Sequence, residues 1–175
     1  MKKKVFLGIL GFLILLGFIF GKKEYFLYSH RQVFNAILNE DSEKITYWVK
    51  EKNYDLTNTY QNVNLIAYYL VYKKEKARTD FVKYLLDVGV KPDYGNEKNG
   101  SSLIWAIVAN NTEIVKILVD RGADVNLIFD GVKPVGLALR RKNCEMVKYL
   151  LDKGAVLDGD KFESDAREKL KFCSS

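Results

Sequence analysis

Two stretches, SLIWAIVANNTEIVKILVDRGADVN at residues 102–126 and PVGLALRRKNCEMVKYLLDKGAVLD at residues 134–158, align without a gap at a spacing of 32. Ala106 pairs with Ala138, Val115 with Val147, Gly122 with Gly154, and Ala123 with Ala155. Within each copy, apolar residues recur at helical spacing in two short runs, and a glycine follows the second run. Each copy therefore reads as two short helices and a loop. A pair this small cannot bury its own apolar face, so the leucine and valine positions make sense only if neighbouring copies stack and build the core between them.

The period extends towards the N-terminus. Phe81–Gly89 is another second helix, with Gly89 lying 33 residues before Gly122. Its first helix falls near Asn64 to Tyr72, and the intervening Lys73 to Thr79 is about five residues longer than the matching turn elsewhere, which predicts a bulge. Ala36 and Ile45 repeat the offset of nine between Ala106 and Val115 and mark a degenerate first unit. The polar stretch Phe162 to Lys171 reads as a closing helix, since terminal units need a solvent-compatible outer side.

Glu113 to Leu118, followed by Gly122, Ala123, Asp124, Val125 and Asn126, resembles the second helix and loop of the ankyrin repeat. Gly131, Pro134 and Ala138 match that family's turn and first helix, although Lys133 and Gly136 stand where threonine and histidine are usual. Those departures predict weaker hydrogen bonding in that turn. The resemblance implies an all-α solenoid of about four helix-turn-helix units, at residues 30–62, 63–98, 99–130 and 131–160, with the closing helix at 161–172. Gly122 and Gly154 sit just past a helix end, where a left-handed conformation costs glycine little. Asp41 with Ser42, Thr112 with Glu113, and Asn143 with Glu145 are helix-start signals. Ile114, Val115, Leu118, Met146, Val147 and Leu150 are assigned to packing.

Ahead of the repeats, residues 1–23 form a different segment. Val5 to Gly21, VFLGILGFLILLGFIFG, is a run of 17 residues with no charge, bracketed by Lys2 to Lys4 and by Lys22 and Lys23. As a helix it would cover roughly 25 Å, at the short end for a bilayer core of about 30 Å, and flanking lysines can extend it by snorkelling. A cleaved export signal is the alternative reading, but the residues before Lys22 are Phe18, Ile19, Phe20 and Gly21, a poor cleavage site. The expectation is an uncleaved transmembrane anchor with residues 24–175 exported. A secreted or periplasmic product after cleavage stays open, as does a cytosolic body, because lysines on both sides leave little charge asymmetry.

The formal charge of +6 over 175 residues is lopsided. Five lysines and no acid fall within residues 1–23, which leaves +1 for the remainder. Nucleic-acid binding, which needs a concentrated basic face, is therefore not expected. Cys144 and Cys173 have neither the spacing nor the histidine partners of a zinc site, and their separation does not by itself point to a bridge. No nucleophile elbow, phosphate loop or metalloprotease motif occurs. The single histidine, His30, has no recognisable nucleophile or base partner in sequence. Pairs such as Asp158 with Asp160 belong to turns, where capping is the ordinary role. A binding protein is expected, with no cofactor, no metal and no catalysis.

In stacked repeats, the loop tips and the exposed side of the first helices are the usual recognition surface. The loop candidates are Tyr60, Tyr94, Phe129 and Asp130. Tyr69, Tyr72, Trp105, Arg140 and Arg141 are the candidates on the first helices. Aromatic residues and arginine dominate interface centres, and 11 tyrosines point the same way, so one protein partner bound by a monomer is expected. Short anchored ankyrin-repeat chains resemble bacterial immunity proteins, some of which neutralise phospholipase toxins in the cell envelope. A scaffold or regulator of an envelope protein from the same cell is the second reading.

Overall fold

The computed structural model describes residues 24–56, 64–92 and 100–174. All named elements among them are helical. Helix α1 covers 24–38. It is followed by α2 (Ser42–Lys50), α3 (Leu65–Lys73), a 3-10 turn (Lys74–Lys76), α4 (Thr79–Asp87), α5 (Ser102–Val108) and α6 (Thr112–Asp120). The chain continues through α7 (Pro134–Arg140) and α8 (Cys144–Asp152) to α9 (Glu163–Ser174). The anchor expected at residues 5–21 lies outside the described residues.

First helices stack on first helices and second helices on second. Helix α3 packs on α5, α5 on α7 and α7 on α9, while α4 packs on α6 and α6 on α8. Phe34 of α1 meets Tyr68 of α3 edge-on at 4.5 Å, and the Tyr84 hydroxyl of α4 donates to the Ser42 carbonyl of α2 at 2.8 Å. The core is the seam between the two layers. Ile114, Val115, Leu118, Met146, Val147 and Leu150 are all fully buried there.

Capping residues set the helix starts. Asp41 accepts from Lys44 N, Asn111 from Ile114 N and Asn143 from Met146 N. Thr112, read from sequence as the start of α6, is its first helical residue, and Asn111 supplies the cap. The turn from first to second helix contains one residue of positive φ in every unit: Glu40 (57°), Lys74 (50°), Asn110 (54°) and Lys142 (58°). Past the second helices, Gly89, Gly122 and Gly154 take φ of 105°, 92° and 88°, and nothing lies within 4 Å of where a Cβ would stand. Backbone conformation, not crowding, is therefore what selects glycine there. The bulge expected after α3 is the 3-10 turn.

Asn64 joins two units. Its side-chain oxygen accepts from Ile66 N, Ala67 N and the Ser102 hydroxyl, while its amide donates to the Lys91 carbonyl at 2.7 Å. The corresponding position before α7 is Lys133, which has no side-chain cap. Weak hydrogen bonding was expected in this turn. Instead, Asp160 reaches back from the closing segment and accepts from Lys133 N at 2.7 Å and from Phe162 N at 2.8 Å. Gly136 makes the approach possible, because a Cβ there would stand 2.2 Å from Asp160 Oδ2.

Candidate protein-binding face

A cleft of about 310 Å³ crosses the first-helix layer. Leu70 and Val71 of α3, Lys74 and Glu75 of the 3-10 turn, Trp105 and Val108 of α5, Ala109, and Arg141 at the end of α7 line it. Its lining is largely apolar, with two cations against one acid on the rim. Tyr72, the residue after Val71, is 62% exposed and packs at a tilt against Tyr68 at 4.6 Å between ring centres. An apolar cleft that holds a tryptophan and an arginine has the composition of a protein-contact centre.

Tyr69 does not belong to this face. It is fully buried, and its hydroxyl donates to Glu40 Oε1 at 2.8 Å while accepting from the Arg78 backbone N–H at 2.8 Å. Glu40 is also paired with Arg78 Nη1 at 3.1 Å and Lys73 Nζ at 3.4 Å. Tyr69 thus ties the turns of the first two units together, and burial raises the pKa of its hydroxyl. Sequence placed it on the exposed side. Tyr69 packs against Phe81 of α4 at 4.9 Å, whereas Tyr72, one turn on, meets only the partly buried Tyr68 among the described rings and stays exposed.

Of the loop candidates, Tyr60 and Tyr94 lie outside the described residues. Phe129 and Asp130 form a hairpin tip, with Phe129 and Val132 exchanging backbone hydrogen bonds at 3.0 and 2.9 Å. Asp130 and Gly131 both have positive φ, 49° and 76°, as a tight two-residue hairpin turn requires. Phe129 folds back onto Trp105, ring centres 6.2 Å apart, so the two candidates support one another. Asp130 is exposed and pairs with Lys161 at 3.7 Å. Arg140 is exposed too, but its guanidinium lies over the Phe162 ring at 4.7 Å, away from the cleft that Arg141 lines.

The cysteines depart from the sequence reading, for Cys144 at the start of α8 and Cys173 near the end of α9 form a disulfide across 29 residues. Only the return of α9 over α7 and α8 brings them together. An isolated pair with no framework pattern carried no signal of this. His30 is buried, and its Nδ1 must donate to the Phe26 carbonyl at 2.8 Å, since a carbonyl only accepts. Ser29 donates to the same carbonyl, and the rings of Phe26 and Tyr54 flank the imidazole at 3.9 and 5.2 Å. Its surroundings are those of a packed helix side chain.

Among the described residues, no three metal-ligating side chains come together, and no helix is long and apolar enough to cross a membrane. A family model described as ankyrin repeats (3 copies) matches residues 33–129 and 74–161, spans that together cover more than half of the chain. Comparison with curated proteins found no match. Stacked helix pairs, positive-φ turns at repeating positions and the family match lead to one conclusion: the chain belongs to the ankyrin-repeat family, whose members are typically non-catalytic protein-interaction modules.

Proposed function

We propose that this chain is a membrane-tethered binding module that grips one protein partner with the cleft between α3, α5 and α7, and that it serves as an envelope immunity protein against a phospholipase toxin. The observation that carries the binding reading is the cleft itself, lined mainly by apolar side chains with Trp105 and Arg141 among them, together with the exposed Tyr72 next to Val71 in the chain. Tethering rests on the uncharged run Val5 to Gly21. Export of the repeats is supported by the Cys144–Cys173 disulfide, because such bonds persist in oxidising compartments and are rare in the cytosol. The immunity role rests on likeness of architecture, an anchor followed by a short repeat stack.

The test is protection of cells that express a toxic lipase encoded beside this chain. Full protection by the native protein, lost in a folded Tyr72→Ala/Arg141→Ala variant, supports both the role and the face. Unchanged protection by that variant moves the contact away from the cleft. Failure to protect against any adjacent toxin removes the immunity role and favours the scaffold, whose partner comes from the same cell and stays active when bound.

A further inference from the structure

After the exposed Glu24 that opens α1, four aromatic or apolar residues follow in succession. Tyr25, Phe26, Leu27 and Tyr28 are 55%, 37%, 39% and 54% exposed. Successive helix residues turn by about 100°, so four in a row sweep about 300° of azimuth. A protein groove covers one face of such a helix and leaves the rest in water. Apolar side chains that remain exposed in most directions, with protein only on the Trp48 and His30 sides, instead suit a medium that surrounds them. Tyrosine is the residue type enriched where one end of a ring is wet and the other dry.

Chain length says which medium is within reach. The uncharged run ends at Gly21, four residues before Tyr25. Whatever its conformation, a four-residue link spans at most about 14 Å. The headgroup layer on each side of the hydrocarbon core is about 5–8 Å thick. If residues 5–21 enter a bilayer, Tyr25 therefore lies within about 14 Å of the hydrocarbon edge, in the headgroup layer or within about 6–9 Å of its outer side. Lys22 and Lys23 fall in the link, and Lys52 joins Tyr25, Phe26 and Trp48 around a cleft of about 290 Å³ at the same end of the molecule. Trp48 lies 6.5 Å from the Tyr25 ring and 6.2 Å from the Tyr28 ring.

We infer that residues 25–28, backed by Trp48 and Lys52, form an interfacial collar that seats the first repeat in the lipid headgroup layer, so that the repeat stack stands on the membrane instead of hanging from a free tether. This rests on the anchoring proposed above, and the experiment separates the two. Full-length protein is reconstituted into vesicles of phosphatidylcholine and phosphatidylglycerol, with and without a nitroxide quencher on the choline headgroup. Flotation reports anchoring. The emission of Trp48, isolated by Trp105→Phe, reports the collar. Trp48 is itself 6% exposed but lies within 6.5 Å of the collar rings, so its emission is expected to fall about two-fold with the headgroup quencher if the collar sits in that layer. In Trp48→Phe, emission from Trp105 in the third unit should stay unquenched. Tyr25→Ser/Tyr28→Ser, made in the Trp105→Phe background, should float but lose the quenching. Flotation with Trp48 unquenched overturns the collar and leaves the anchor standing. Absence of flotation overturns the anchor and the collar with it. Should Trp48→Phe fail to fold, the two Trp105→Phe proteins, with and without the collar tyrosines, decide the outcome.

Discussion

Gly136 and Asp160 share one site: the carboxylate that caps α7 occupies the space where any larger residue at position 136 would put its Cβ, 2.2 Å from Oδ2. A side chain at the end of the fourth unit is thus possible only because that unit's first helix lacks one at Gly136. The pair makes the fourth repeat depend on the closing segment, because Asp160 holds Lys133 N and Phe162 N at once.

Gly136→Ala should destabilise the native protein by about 1–3 kcal/mol, as over-packing against a buried polar group does. In an Asp160→Ala background the clash is gone, and the same substitution should stabilise by about 0.5–1 kcal/mol through helix propensity. Urea denaturation of the four proteins in the cycle checks this. If Gly136→Ala has the same sign in both backgrounds, the two residues do not compete for the space.

The disulfide closes a loop across 29 residues between α8 and α9, and reducing it should cost about 3–4 kcal/mol by the chain-entropy account. The loss should concentrate in the last unit and the closing helix. Hydrogen exchange with and without reductant would show faster exchange in α9 first, with the core of α3 to α6 little changed. Equal loss of protection throughout would mean that the cross-link stabilises the stack as a whole.

Tyr69 and Tyr72 should respond oppositely to truncation. Removing the Tyr69 hydroxyl strips the Arg78 N–H of its acceptor and Glu40 of a donor, so Tyr69→Phe should cost about 1–2 kcal/mol. Tyr72→Ala should change stability by no more than about 0.5 kcal/mol, as surface substitutions usually do, while weakening partner binding. Thermal melts and partner titration separate the roles, and a silent Tyr69→Phe would remove Tyr69 from the joint between units.

The Tyr54 hydroxyl is buried without a hydrogen-bond partner among the described residues, and burial pushes its pKa above the ordinary 10.0. The folded form therefore favours the protonated phenol more than the unfolded chain does. Its contribution to stability is fully present below pH 10.0 and is lost as pH rises beyond that value. Tyr54→Phe removes both the orphaned hydroxyl and the ionisation. It should be neutral to stabilising, by up to about 1 kcal/mol at neutral pH, and should flatten the alkaline fall in stability. Urea midpoints measured across the alkaline range test the slope. A destabilised phenylalanine variant would show that the hydroxyl has a partner.

Sequence alone determined the repeat, because its signals are local. A glycine after three of the four second helices, an asparagine or aspartate before three of them, and apolar residues at helical spacing all report on the few residues around them. The stacking rule then follows from the small size of each unit. The direction of a particular side chain was less legible. Tyr69 and Tyr72 are alike in composition, yet Tyr69 is fully buried and Tyr72 is 62% exposed, a difference set by how α3 rotates against α5.

Tertiary structure alone decided the contacts between residues distant in sequence. Lys133 and Gly136 looked like losses in a turn until Asp160 was brought back to fill it, and Cys144 met Cys173 only through the return of α9. The cleft likewise takes its wall from α3, α5 and the end of α7, which no single repeat contains. Local preferences specify the unit, but the surface between units arises from packing, whose geometry depends on the three-dimensional fit of whole helices.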